Sequence, residues 1–315
     1  MKDINQIPIL EIENLSISFH MYNKGMKKHK LEMIHKLSLT ISSGEIVVVV
    51  GSSGSGKSLL AHSILGILPQ NAEIEGTIKF CGKEMGTLEK ENLRGKEISF
   101  IPQSVEYLDP LMKIGKQVIG VTKKSEKRKQ QEKRKQLFRR YQLEESVAKL
   151  YPYQLSGGMA RRVLISGAMM RPAKLIIADE PTPGLQKELA METLKNFREL
   201  ADSGCAVLLI THDIDLALQV ADQIAIFYAG TILEITSVED FMGEGKSLRH
   251  PYSKAFWAAL PQKEFRSIEG AQPYAGNLPK GCLFAKRCPN RTEACEGEIE
   301  MRSLRGGKVR CIYAE

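Results

Sequence analysis

The stretch that most constrains this chain is VVVVGSSGSGKSLL, Val47 to Leu60. Four consecutive valines leave no polar face, so they read as a strand buried on both sides. The next residues are almost all Gly and Ser. They end in Lys57 and Ser58, before SLLAHSILGIL, an apolar run with helical spacing. Gly51, Gly54, Gly56, Lys57 and Ser58 fit G-x-x-x-x-G-K-[ST] between a strand and a helix. Glycines there let backbone N–H groups turn inward around phosphate oxygens. The helix that follows opens with unpaired N–H groups and the positive end of its dipole. Lys57 is expected to reach β- and γ-phosphates, and the Ser58 hydroxyl to ligate Mg²⁺. Ser52, Ser53 and Ser55 fill the rest of the cradle. A merely flexible Gly/Ser loop would need neither the strand before it nor the helix after it.

The chain has 315 residues, enough for one large domain with an appendage or for two domains. Hydrophobic residues make up 43% and charged residues 26%, an ordinary balance for a chain with a real core. No apolar run approaches the length of a membrane span, and the N-terminus lacks the pattern of a signal peptide. A cytosolic location is expected. The net charge of +8 is local: KKSEKRKQQEKRKQLFRR, Lys123 to Arg140, holds ten Lys or Arg against two Glu. Such a run can meet nucleic acid or anionic lipid, but it reads first as a solvated helix face. No aromatic residue interleaves with its bases before Phe138.

The order of elements is α/β. ILEIENLSISF and LSLTI read as strands, with NKGMKKHK between them as a turn. GTIKFCGKEM, EISFIPQ, LIIADEP, AVLLITHD and IAIFYAGTILEI read as further strands. KELAMETLKNFRELADSG and IDLALQVAD read as helices, and residues 104 to 171 as mainly helical and polar. Strands alternating with helices predict a parallel sheet. After about residue 245, Pro, Gly and Cys become frequent.

Asp179 ends the apolar run LIIAD and Glu180 follows at once. An Asp there can hold the Mg²⁺ shell, and the next carboxylate is placed to activate a water against the γ-phosphate. LSGGMARR is a second glycine-rich anion site, in which Leu155, Ser156, Gly157 and Gly158 open a helix. This segment resembles the signature sequence of ATP-binding-cassette (ABC) ATPases, and the other stations follow in order over residues 8 to 245. Phe19 lies where the adenine-stacking aromatic falls. Gln103 in FIPQ is similar to the Q-loop glutamine, a Mg²⁺ contact that links nucleotide to transmembrane partner. His212 in ITHD matches the switch histidine on the γ-phosphate. The resemblance implies a P-loop ABC-type ATPase core with a helical subdomain.

The tail narrows the resemblance. HPYSKAFWAALP and GNLPKGCLFAKRCPN are similar to the C-terminal extension of ATPases in the dipeptide/oligopeptide/nickel importer family. The domains then read as 1–245, a nucleotide-binding domain with its helical subdomain at about 104–171, and 246–315, a small Cys-rich extension. That family's tail carries four Cys, which in some members bind a [4Fe-4S] cluster. Here they are Cys282, Cys288, Cys295 and Cys311, separated by five, six and fifteen residues. The spacing lacks the close Cys pairs of structural Zn²⁺ sites, but by itself leaves cluster, zinc and free thiols open. One station departs: PTPGLQ places Gln186 where the family's D-loop has Asp, which fits either two unequal ATP sites or a tolerated Gln.

The resemblance implies ATP-driven closure of a dimer, with ATP and Mg²⁺ bound. The implied partners are two transmembrane permease subunits, a second ABC ATPase subunit in a heterodimer, and indirectly an extracellular solute-binding protein. Nucleic acid is not expected. The chain would sit on the cytoplasmic side of the cell membrane and power uptake of peptides, or of nickel or metal–chelator complexes. The rivals are an ABC ATPase of repair or translation acting on nucleic acid, and a P-loop metabolic kinase. One cassette with an HPYSKAF tail weighs against the first, and LSGGM with His212 against the second.

Overall fold

The computed structural model describes residues 7–22, 28–52 and 54–315. In chain order the elements are β1 (Leu10–Tyr22), β2 (Lys28–Ile41), β3 (Ile46–Val50), α1 (Lys57–Leu65), β4 (Ala72–Phe80), β5 (Lys83–Glu84), α2 (Thr87–Leu93) and β6 (Ile98–Ile101). Then come α3 (Ile114–Ile119), α4 (Lys127–Arg140), α5 (Gly157–Ala168), β7 (Leu175–Asp179), α6 (Lys187–Asp202), β8 (Ala206–Thr211) and α7 (Ile214–Val220). The chain closes with β9 (Gln223–Tyr228), β10 (Thr231–Ser237), α8 (Pro251–Ala258), β11 (Arg302–Leu304) and β12 (Gly307–Val309).

The four valines explain the architecture. Strand β3 lies between β8 and β9, parallel to both, and every residue in it is buried. Successive side chains of a strand point to opposite faces. Val48 and Val50 therefore pack with Ile176, Leu209, Leu194 and Phe197. Val47 and Val49 pack on the other face with Leu60 and Ile64 of α1 and with Ile12 and Leu39. A strand sandwiched in this way can have no polar position. The full sheet runs β11-β12-β10-β9-β3-β8-β7-β6, and β2-β1-β4-β5 form a separate antiparallel sheet.

The predicted turn at NKGMKKHK needs correcting at one end. Residues 23–27 lie outside the described residues, but Lys28–Lys30 belong to β2, paired with Tyr22 to His20 of β1. Lys30 Nζ contacts Glu73 at 2.9 Å and Glu75 at 3.0 Å on β4. These ion pairs reach over β1 from β2 to β4, and the backbone pairing with β1 makes a strand of residues whose composition alone suggests a loop. Residues 104–171 carry α3, α4 and α5 around a core of their own, including Leu108, Ile114, Val118, Phe138 and Val163. The basic run is α4. Its Lys residues are solvated or half-buried, and Arg140 pairs with Glu192 and Glu199, each at 2.9 Å.

The C-terminal residues are stitched to the main sheet. The β11–β12 hairpin adds to the edge of β10. Arg249, 2% exposed, lies 3.3 Å from Glu234 and 2.9 Å from Asp240, and donates to Leu304 O at 2.7 Å. The next backbone N–H, of His250, reaches the second oxygen of Glu234 at 2.8 Å. Both oxygens of a fully buried carboxylate are thereby satisfied, as burial of a charge requires. Among the described residues no helix is long and apolar enough to cross a membrane.

Candidate active site

The predicted phosphate loop connects β3 to α1. Gly54 and Gly56 have φ of +73° and +104°, a region that side chains rarely enter. Gly51 has a different reason: a Cβ there would lie 2.4 Å from Phe227 O on β9. Ser53 lies outside the described residues. Lys57 Nζ is buried and donates to Gly51 O and Ser52 O, each at 2.8 Å. Burial depresses its pKa, while the nearby charges of Glu180 and Asp179 oppose the shift. Ser55 Oγ donates to Ser52 O at 2.7 Å, closing the loop on itself.

Asp179 ends β7 beside this loop, and Glu180 follows it. Asp179 is buried, and burial first, then the charge of Glu180, raises its carboxyl above the ordinary range; a hydrogen bond from Ser58 opposes this. Its Oδ1 has no hydrogen-bond partner. A hydroxyl and an orphaned carboxylate oxygen, side by side, suit a hard divalent cation. Glu180 has φ of +47°, uncommon for a side-chain-bearing residue and a form of strain that collects at functional sites. Its Oε1 lies 2.8 Å from His212 Nδ1, just past the end of β8. Parallel β3, β7 and β8 thus bring Lys57, Asp179, Glu180 and His212 to their shared C-terminal end.

The remaining predicted residues are distributed around this centre. Phe19 is half-buried on β1, paired with Leu31 and Ala72. Gln103 is exposed just after β6. Ser156 caps α5, accepting from Met159 N at 3.3 Å. Leu155 and Ser156 lead into that helix and Gly157 and Gly158 open it, with Ser156 and Gly157 exposed. A Cβ on Gly158 would stand 3.2 Å from Gly184 O, so the signature segment abuts the turn before Gln186. Gln186 is exposed at the start of α6, with no side-chain capping bond.

Two residues carry more than the sequence reading assigned them. Arg161 on α5 donates to Pro102 O at 2.7 Å and to Gln103 O, tying the signature helix to the Q-loop. Burial lowers its pKa, and the charges of Asp179 and Glu180 counter that. His62 lies 3.1 Å from the Tyr107 hydroxyl and feels the charge of Asp179. The only signal in the sequence is that His62 falls four residues after Ser58, on the same helical face.

Cys282, Cys288, Cys295 and Cys311 are all free and line one small cavity with His250. Burial pushes the Cys282 thiol up to about 11, with the other three thiols adding to the shift. Gly281 makes the close approach possible: its φ is +73°, and a Cβ there would fall 2.2 Å from Cys295 O. Among the described residues no three His, Cys, Asp or Glu side chains are placed to hold a single metal ion.

Comparison with known proteins finds two matching families along the chain. The ABC transporter family matches residues 34–183, and the oligopeptide/dipeptide transporter C-terminal region matches residues 233–295. The chain is 32% identical to the oligopeptide transport ATP-binding protein AppD of Bacillus subtilis, over 98% of this chain and 97% of that one. It is 32% identical to the dipeptide transport ATP-binding protein DppD of Haemophilus influenzae, over 96% and 94%. Among solved structures, a dimeric ATP-binding cassette in a post-hydrolysis state with ADP and Pi aligns with a TM-score of 0.63 at 25% identity. It covers 73% of this chain and 98% of that one.

Proposed function

The chain belongs to the ATP-binding subunits of oligopeptide and dipeptide ABC transporters, and from that premise we propose a role for each residue of the site. It is an ATPase whose hydrolysis powers peptide uptake. Lys57 leaves the carbonyls of Gly51 and Ser52 to meet the β- and γ-phosphates of ATP, while the loop N–H groups, Ser53 included, wrap them. Phe19 stacks on adenine. Ser58, Asp179 and Gln103 would hold Mg²⁺, which would supply positive charge to neutralise the phosphates. Glu180 takes a proton from the attacking water, and His212 orients Glu180 and contacts the γ-phosphate. The observation that carries this reading is the convergence of Lys57, Asp179, Glu180 and His212 at one end of three parallel strands.

Leu155 to Gly158 serve a partner's phosphate loop, so two cassettes close around ATP; Gln186 favours a heterodimer with unequal sites. We assign residues 1–245 to the nucleotide-binding domain and 246–315 to the extension. Two permease subunits dock near Gln103, where a cavity of about 600 Å³ is lined by Phe100, Tyr107, Val118 and Val121, and an external solute-binding protein supplies the peptide. The chain then works on the cytoplasmic side of the cell membrane. The [4Fe-4S] cluster that the resemblance implies would take Cys282, Cys288, Cys295 and Cys311, which line one small cavity, and would tie down the tail.

Purified Lys57→Ala protein is expected to lose nearly all ATP binding; wild-type affinity would overturn the assignment. Co-purification with integral membrane proteins, rather than with nucleic acid, tests the transport role.

A further inference from the structure

The C-terminal extension reaches the phosphate loop. Ser52 Oγ donates to Gln272 Oε1 at 2.8 Å, joining residues 220 apart in the chain. Gln272 and Pro273 are half-buried, and the segment around them is fastened on both sides. At its root Arg287 donates to Glu269 O at 2.8 Å and to Ile268 O at 3.0 Å. The same guanidinium reaches the Tyr228 hydroxyl at 3.2 Å, at the end of β9, and Arg287 directly precedes Cys288. At the far end, Asn277 N closes a turn on Tyr274 O at 2.8 Å. There a Cβ on Gly276 would lie 3.5 Å from Leu31, the β2 partner of Phe19. The strap therefore runs from the phosphate loop to the strand behind the expected adenine position.

We propose that Gln272 is a positioning residue for nucleotide binding: through Ser52 it holds the phosphate loop in its wrapped form, so the extension forms part of its own chain's ATP site. The proposal rests on the reading that this loop holds nucleotide. Gln272 grips the Ser52 hydroxyl, whereas Lys57 occupies the Gly51 and Ser52 carbonyls. The bond can thus persist when Lys57 turns to phosphate. A loop held before the ligand arrives loses less freedom on binding. One neutral hydrogen bond of this kind is worth about a three- to tenfold change in affinity.

The test is a double-mutant cycle on the full-length chain, read by titration with a fluorescent ATP analogue. Gln272→Ala and Ser52→Ala should each weaken binding by about three- to tenfold, and the double variant should be no weaker than either single one. In the assembled transporter the effect should appear in KM for ATP rather than in kcat, as expected when a uniform binding contribution is lost. Unchanged or tighter binding in Gln272→Ala, or additive losses in the double variant, overturns the proposal. If Gln272→Ala does not fold, Gln272→Asn, whose shorter side chain leaves the Ser52 hydroxyl out of reach, decides it: wild-type affinity sinks the idea. Lys57→Ala, run alongside, separates the two levels. Its loss of binding with a silent Gln272→Ala removes only this inference, whereas wild-type binding in Lys57→Ala removes the underlying reading.

Discussion

His212 Nδ1 stands 2.8 Å from Glu180 Oε1, and Glu180 holds a backbone φ of +47° to meet it. Each residue directly follows one of two adjacent parallel strands, β7 and β8, so the sheet sets where both begin. If Glu180 is the base, Glu180→Gln keeps the shape and the hydrogen-bonding partner but removes the proton acceptor. Hydrolysis should fall by roughly 10²-fold or more with ATP binding intact. Single-turnover kinetics of the assembled complex, beside equilibrium nucleotide binding, check this; a wild-type rate would mean another base or an idle site.

Asp179 makes an opposite kind of prediction. Burial raises its carboxyl, so the folded chain retains a proton that the unfolded chain has already released. Stability therefore falls as pH rises through the window above the ordinary carboxylate range, and the cost persists at neutral pH without a cation. Asp179→Asn should melt a few degrees higher than wild type in the nucleotide-free state at neutral pH. The same variant should lose the Mg²⁺ dependence of nucleotide binding. Calorimetry with and without Mg²⁺ and ATP measures both, and a variant that melts lower without ligand contradicts the account.

Gln186 starts α6 without capping it. Gln186→Asp supplies a short carboxylate at a position where Asp is favoured, and should stabilise the chain by about 1 kcal/mol in chemical denaturation. ATPase activity of the assembled transporter should rise or stay level, because the family's usual residue is restored. A large loss of activity would give Gln186 a role of its own.

If the four thiols hold the proposed [4Fe-4S] cluster, the protein is coloured. Protein purified without oxygen should be brown, with about four irons per chain and a visible absorbance that bleaches on reduction. Cys288→Ser should lose the colour while retaining ATP affinity. A colourless preparation with stoichiometric zinc would replace the cluster with a zinc site.

The sequence by itself determined the parts whose chemistry is local. A phosphate loop needs Gly, Lys and Ser at fixed offsets between a strand and a helix, so Gly51 to Ser58 announce it. Asp179 and Glu180 are legible for the same reason, at the end of an unbroken apolar strand. Tertiary structure alone decided which distant residues meet. Sheet order put His212 against Glu180, packing of α5 gave Arg161 its hold on Pro102 and Gln103, and β10 paired the extension's hairpin to the main sheet. The Gln272 bond to Ser52 belongs to this second kind: neither residue sits in a pattern that names the other. Contacts across a sheet or between domains depend on strand order and register, which no short-range spacing encodes.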